Sequence, residues 1–199
     1  MIDDATVETP GVCHLESWIT RYDGHRGLAN ASPACTRTAW PRLEIGAAIQ
    51  HTWDDVDDTT LGPALKLNLL PVETGVGLGL IGAGSWSLRN GTLRTASMIV
   101  PLTITISDRV RASLNAGWLY GHANEPQHTI FFGAQLEAEI ARDLSLMIEA
   151  FGRQHGHPGG QIGLRWTPGG GSFDVDLLAG RRIDGTSPDA ITLGLTFRL

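Results

Sequence analysis

Long hydrophobic runs are missing from this chain: no stretch approaches the roughly 18 apolar residues that a membrane-spanning helix requires, so membrane residence by helices is excluded. Clusters of positive charge are missing too. The 15 basic and 21 acidic residues leave a net charge of -6 with no Lys/Arg patch, which argues against nucleic acid as a partner. The two cysteines, Cys13 and Cys35, sit in neither a CxxC pair nor a Cys/His array of zinc spacing, so a disulfide formed in an oxidising compartment is the reading they support. No linker-like or low-complexity block divides the 199 residues, and one domain is expected. No signal-peptide pattern opens the sequence, and Met1 is expected to be an initiator placed on a mature chain whose export signal was removed, the alternative being an unexported protein, which would begin the same way.

What is abundant points to β-structure. Twenty-five glycines spread along the chain, with only 18% charged residues, disfavour helices as the main element. The last ten residues, AITLGLTFRL, set Ile191, Leu193, Leu195, Phe197 and Leu199 on one side and Thr192, Gly194, Thr196 and Arg198 on the other, which is the period of two of a strand. Ten segments of this kind run from residue 41 onward. Short connections at 71–74, 107–109, 141–143 and 167–172 alternate with longer polar ones at 53–60, 87–94, 121–127, 154–160 and 182–189. That alternation predicts an all-β, up-and-down antiparallel transmembrane barrel, with tight periplasmic turns at one end and larger external loops at the other.

The first forty residues decide the strand count. A hairpin of 13–22 with 28–35 places residue i opposite residue 48 minus i, which sets Cys13 across from Cys35 within reach of a disulfide. This gives 12 strands, preceded by residues 1–11 as an N-terminal periplasmic extension; the alternative is a ten-stranded barrel with a disulfide-closed N-terminal segment. One stretch pulls the other way, since AQLEAEIARDLSLMIEAF has apolar residues near helical spacing. Its period-two rows continue on both sides of 141–143, so two strands and a turn are expected.

The apolar row is assigned to lipid. The opposite row is rich in glycine (Gly75, Gly77, Gly79, Gly117, Gly133, Gly163, Gly180, Gly194), which suits a crowded, curved barrel interior. Aromatics gather near strand ends on the apolar parity, with Trp118 and Tyr120 beside a long loop and Trp166 and Phe173 flanking a short turn, as interfacial girdles do. The ending, with Gly194, Phe197 and Leu199, resembles the C-terminal signature of bacterial outer-membrane β-barrels. The chain as a whole, including LESWITR and LEIGAAIQ, resembles the small outer-membrane transporter family of the phenol-degradation meta-pathway type. The resemblance implies residence in the bacterial outer membrane among its lipids, recognition of the final strand by the outer-membrane insertion machinery, and no catalytic residues.

With the polar faces inward, the lumen is expected to contain Glu16, Glu44, Glu137, Glu139, Glu149, Asp174 and Asp176 against Arg42, Lys66, Arg111, Arg153, Arg165 and Arg198. The two signs nearly balance. Such a lining suits a narrow channel or facilitator for a small solute; the alternative is a structural or interaction barrel whose ion-paired lumen is sealed and whose loops or periplasmic face bind a protein partner. No cofactor is expected. His122, His128, His155 and His157 lie on two successive long loops and are candidate ligands for a divalent metal, and Asp54, Asp55, Asp57 and Asp58 form an oxygen-rich loop that lacks EF-hand spacing. Ser85 or Ser87 with His122 is the nearest approach to a hydrolytic pair, and no nucleophile motif surrounds either serine.

Overall fold

A computed structural model describes residues 2–22, 25–53, 57–124, 126–154, 156–181 and 189–199. Twelve strands follow one another: β1 Cys13–Tyr22, β2 Gly27–Thr36, β3 Leu43–Trp53, β4 Asp58–Leu70, β5 Val76–Ser87, β6 Leu93–Ser107, β7 Val110–Gly121, β8 His128–Ala141, β9 Leu144–Arg153, β10 Gly159–Trp166, β11 Phe173–Arg181 and β12 Asp189–Arg198. Each pairs antiparallel with its neighbours in sequence, and β1 pairs with β12, so the sheet closes into a barrel. Closure leaves no strand edge unpaired. Among the described residues the only helical element is the single 3₁₀ turn Val72–Thr74.

The ten-strand alternative is excluded, because the first forty residues supply β1 and β2 as wall strands. Their register runs from Cys13 opposite Cys35 to Arg21 opposite Gly27, and the cysteines are disulfide-bonded with Cα atoms 4.0 Å apart. Replacing Cys13 by Ser, or reducing the bond, opens a crosslink spanning 22 residues; chain-entropy arithmetic assigns such a loop about 3 kcal/mol. The expected outcome is a lower urea midpoint for the reduced barrel in detergent, read by tryptophan fluorescence. The ambiguous stretch in the second half is β8 and β9, joined at Arg142 and Asp143, with Asp143 at φ 61° making the turn.

Outward positions carry the apolar row: Ile45, Ile49, Leu65, Val100, Leu114, Ile148, Leu177 and Leu193 are all exposed. Trp118 and Trp166 lie on the same outward face near opposite ends, where Trp166 packs edge-on to Phe173, which stacks on Phe197. Inward positions are buried and mostly polar, including Asn68, Thr103, Asn115, Glu149, Asp174 and Asp176. Register irregularities fall near strand ends, at Asn68/Leu70, Ser85/Trp86, Thr105/Ser107 and Glu139/Ala141. There a bulge lets consecutive residues such as Leu69 and Leu70 both face outward. The turn between β10 and β11 runs through Gly169, Gly170 and Gly171 at φ 69°, 78° and 92°, a succession that residues with a Cβ do not readily adopt. Gly75 lies in a turn at φ 91° and not on a strand face.

Candidate functional site: the barrel lumen

Cross-strand register brings opposite charges together on the inner wall. Arg165 of β10 faces Asp176 of β11 and donates from Nε and Nη2 to its two oxygens, each bond 2.8 Å, the bidentate geometry that makes guanidinium–carboxylate pairs strong. Arg111 of β7 donates to Glu137 of β8 at 3.3 Å, again a registered pair. Glu149 of β9 is 3% exposed and lies between its two registered neighbours, accepting from Gln135 at 2.9 Å and Gln161 at 2.6 Å. Arg198 ties three elements together: it donates to Asp174 at 2.8 Å, to Glu8 at 2.9 Å and to the Gly171 carbonyl at 2.8 Å.

Glu8 belongs to the largest surprise of the lumen. Residues 1–11 were expected outside the barrel; residues 2–8 run inside it, with Ile2 4% and Ala5 0% exposed. Asn115 bridges both backbone groups of Asp3, accepting from its N–H at 3.0 Å and donating to its carbonyl at 2.7 Å. Ala5 is held likewise, its N–H donating to Thr103 Oγ1 at 2.9 Å and its carbonyl accepting from Asn68 at 3.1 Å. Lys66 Nζ binds the carboxylates of Asp3 at 2.7 Å and Asp4 at 3.1 Å. Burial alone would raise the Asp4 carboxyl, and the Lys66 ammonium overrides it, holding the group below the usual carboxylate range.

Between this inner segment and the wall remains a cavity of about 500 Å³, with a second of about 630 Å³ at the turn end, beside Gly170, Gly171 and Leu199. Of the thirteen residues expected in the lumen, Glu16, Glu44, Lys66, Arg111, Glu137, Glu149, Arg165, Asp174 and Arg198 line these spaces, and Asp176 is buried against Arg165. The other three lie at the rims. Arg42 lies in the turn before β3, Glu139 is exposed at the foot of β8, and Arg153 ends β9 on the loop side. The near-balance of charge expected from the sequence therefore shifts. Asp3, Asp4, Glu8, Glu16, Glu44, Glu137, Glu149 and Asp174 line the inner cavity against Lys66, Arg111, Arg165 and Arg198.

Two of the loop histidines have aromatic partners close by. His128 stacks on Trp118 with centroids 5.6 Å apart and accepts from its indole N–H at 3.2 Å, while His122 lies 3.4 Å from the Tyr120 hydroxyl. His155, Asp54 and Asp55 fall outside the described residues. Among the described residues no group of three or more His, Cys, Asp or Glu is arranged to hold a metal ion. Ser87 donates to Asp58 at 2.7 Å and Ser85 bonds Thr95 at 2.7 Å, so neither serine is engaged with His122.

A closed 12-strand antiparallel wall with an apolar exterior and a charged interior defines the chain as a porin-like β-barrel. It belongs, over residues 1–199, to the family described as "Uncharacterised conserved protein UCP029691". Its fold is similar to that of the COG4313 outer membrane channel from Pseudomonas putida F1, at TM-score 0.72 and 10% identity over 100% of both chains. The KdgM porin is similar at TM-score 0.71 and 8% identity, over 92% of this chain and 98% of that one. The NanC porin follows at TM-score 0.67 and 10% identity, over 94% and 100%. These neighbours are channels and porins rather than enzymes. The comparison with curated proteins finds no match.

Proposed function

We propose that the protein is a channel of the bacterial outer membrane that passes a small polar solute. The observation that carries this reading is the cavity of about 500 Å³ left inside a charged lumen beside the inner segment. Resemblance to the meta-pathway transporter family, and the channels among its structural neighbours, support the same reading. The final strand, through Gly194, Phe197 and Leu199, serves as the signal read by the insertion machinery. With eight carboxylates against four cationic side chains on the inner cavity, small cations are favoured over anions, since selectivity follows the charge lining the narrow part.

Planar-bilayer recording of the folded barrel tests both statements. The expected result is a small conductance with a reversal potential displaced toward cations in a salt gradient. A second reading rests on the ion pairs Arg165–Asp176 and Arg198–Asp174 and on the segment filling the lumen: a sealed barrel that engages a protein partner through its loops or periplasmic face. Absence of current and of solute flux in liposome swelling, for monodisperse folded protein, selects that second reading.

A further inference from the structure

The way the wall holds residues 2–5 is unusual for a chain packing on itself. No strand pairing is involved. Instead three side chains from three strands, Asn68 of β4, Thr103 of β6 and Asn115 of β7, satisfy the N–H and the C=O of both Asp3 and Ala5. Two residues apart is the repeat of an extended chain, so the wall recognises secondary amides at that spacing and is indifferent to which side chains project between them. Carboxylate recognition is separate, through Lys66. Gly133 leaves room for the tip of the Ile2 side chain, which a Cβ there would overlap, and Gly79 lies in ordinary contact distance of Ala5.

Charge gives the second argument. Without Asp3, Asp4 and Glu8, the inner cavity keeps five carboxylates, Glu16, Glu44, Glu137, Glu149 and Asp174, beside the same four cations. Lys66 then faces the lumen with both of its hydrogen-bonded carboxylates gone. Glu44 stays opposite Lys66 in the ladder, so what the emptied seat offers an occupant is amide partners on the wall and the hydrogen-bonding positions on Lys66 that Asp3 and Asp4 had filled.

We infer that Asn68, Thr103, Asn115 and Lys66 form a solute-binding seat for an extended, carboxylate-bearing amide, the class of short acidic peptides, and that residues 2–5 occupy this seat as a built-in mimic of the solute. The inference rests on the channel reading for the route by which a solute arrives. Binding itself is measurable without transport.

The test uses a double variant of the full chain in detergent: Asp3→Lys sets like charge against Lys66 and supplies the trypsin site, and Ala5→Trp cannot fit where Ala5 is fully buried against Gly77 and Gly79. Trypsin cleavage at position 3 reports the release. The probe is the acetylated, amidated hexapeptide IDDATV, followed by calorimetry. The expected result is heat of binding in the variant and none in the parent, weakened about tenfold or more by Lys66→Gln, by Asn115→Ala, or by a peptide with Asn for both Asp, as for loss of a charged hydrogen bond.

Three results overturn the seat: no binding to the trypsin-sensitive variant, equal binding by parent and variant, or equal binding of the Asn peptide. A variant whose segment stays resistant to trypsin also overturns it, since neither the charge pairing nor the close fit then holds the segment. Failure of the channel reading shows differently, as binding in detergent with no current block by the same peptide in a bilayer.

Discussion

Expelling the N-terminal segment, by Asp3→Lys with Ala5→Trp, is expected to raise single-channel conductance several-fold and to move the reversal potential toward anions. Both changes have one cause. Residues 2–8 occupy the lumen at the depth of Lys66, Thr103 and Asn115, so removing them widens the lumen at that depth. They also carry three of the eight carboxylates that line the cavity, Asp3, Asp4 and Glu8, so their loss leaves the lining near neutrality. Single-channel recording in a tenfold salt gradient measures both quantities on one protein. Unchanged current and unchanged reversal potential would show that the constriction lies elsewhere.

The second large effect is on stability. Arg165→Ala strands Asp176, whose side chain is 6% exposed and whose two oxygens both depend on the guanidinium. Leaving a buried charge without its partner costs about 3–5 kcal/mol. The expected result is a marked fall in the urea midpoint of the folded barrel, read by tryptophan emission or by heat-modifiable gel mobility. The double change Arg165→Met with Asp176→Leu removes both charges together and is expected to recover much of the loss, because the penalty comes from the orphaned carboxylate and not from the missing pair. Equal instability of single and double variants would assign the effect to packing instead.

Alternation made most of the wall legible in advance. The 12 strands, the Cys13–Cys35 pairing and the division of β8 from β9 all follow from period-two rows and turn placement, because in a closed barrel each strand must present one face to lipid and one to the interior. The tight pairs of the lumen follow from register: Arg165 with Asp176 and Arg111 with Glu137 are neighbours in the ladder. Residues read as inward at strand ends fared differently. Arg42, Glu139 and Arg153 share the polar surroundings of the lumen row, yet each lies at a rim, where side chains reach water without entering the interior.

Residues 2–8 were not legible at all. IDDATVE has no length, period or charge pattern that distinguishes a solvated tail from a strand of polypeptide lying in a polar cavity. What places it inside is the far wall, through Asn68, Thr103 and Asn115, three positions spread over 48 residues of sequence that meet only when β4 to β7 curve together. The polar character of those positions was visible; the backbone they bind was not.

The disulfide at the base of β1 fixes how far that polypeptide can wander. Cys13 is bonded to Cys35 and its N–H to the Leu199 carbonyl, so it is clamped to both neighbouring strands. Gly11 and Val12 are bonded to Thr36 as well, so residues 2–10 hang from there as a leash of about 30–32 Å when taut. A leashed competitor revisits its berth at an effective concentration on the order of millimolar. At the seat proposed above, a solute that binds no more tightly than the segment gains steady occupancy only at a comparable concentration. On that proposal the lumen empties of its own segment only when the solute is plentiful.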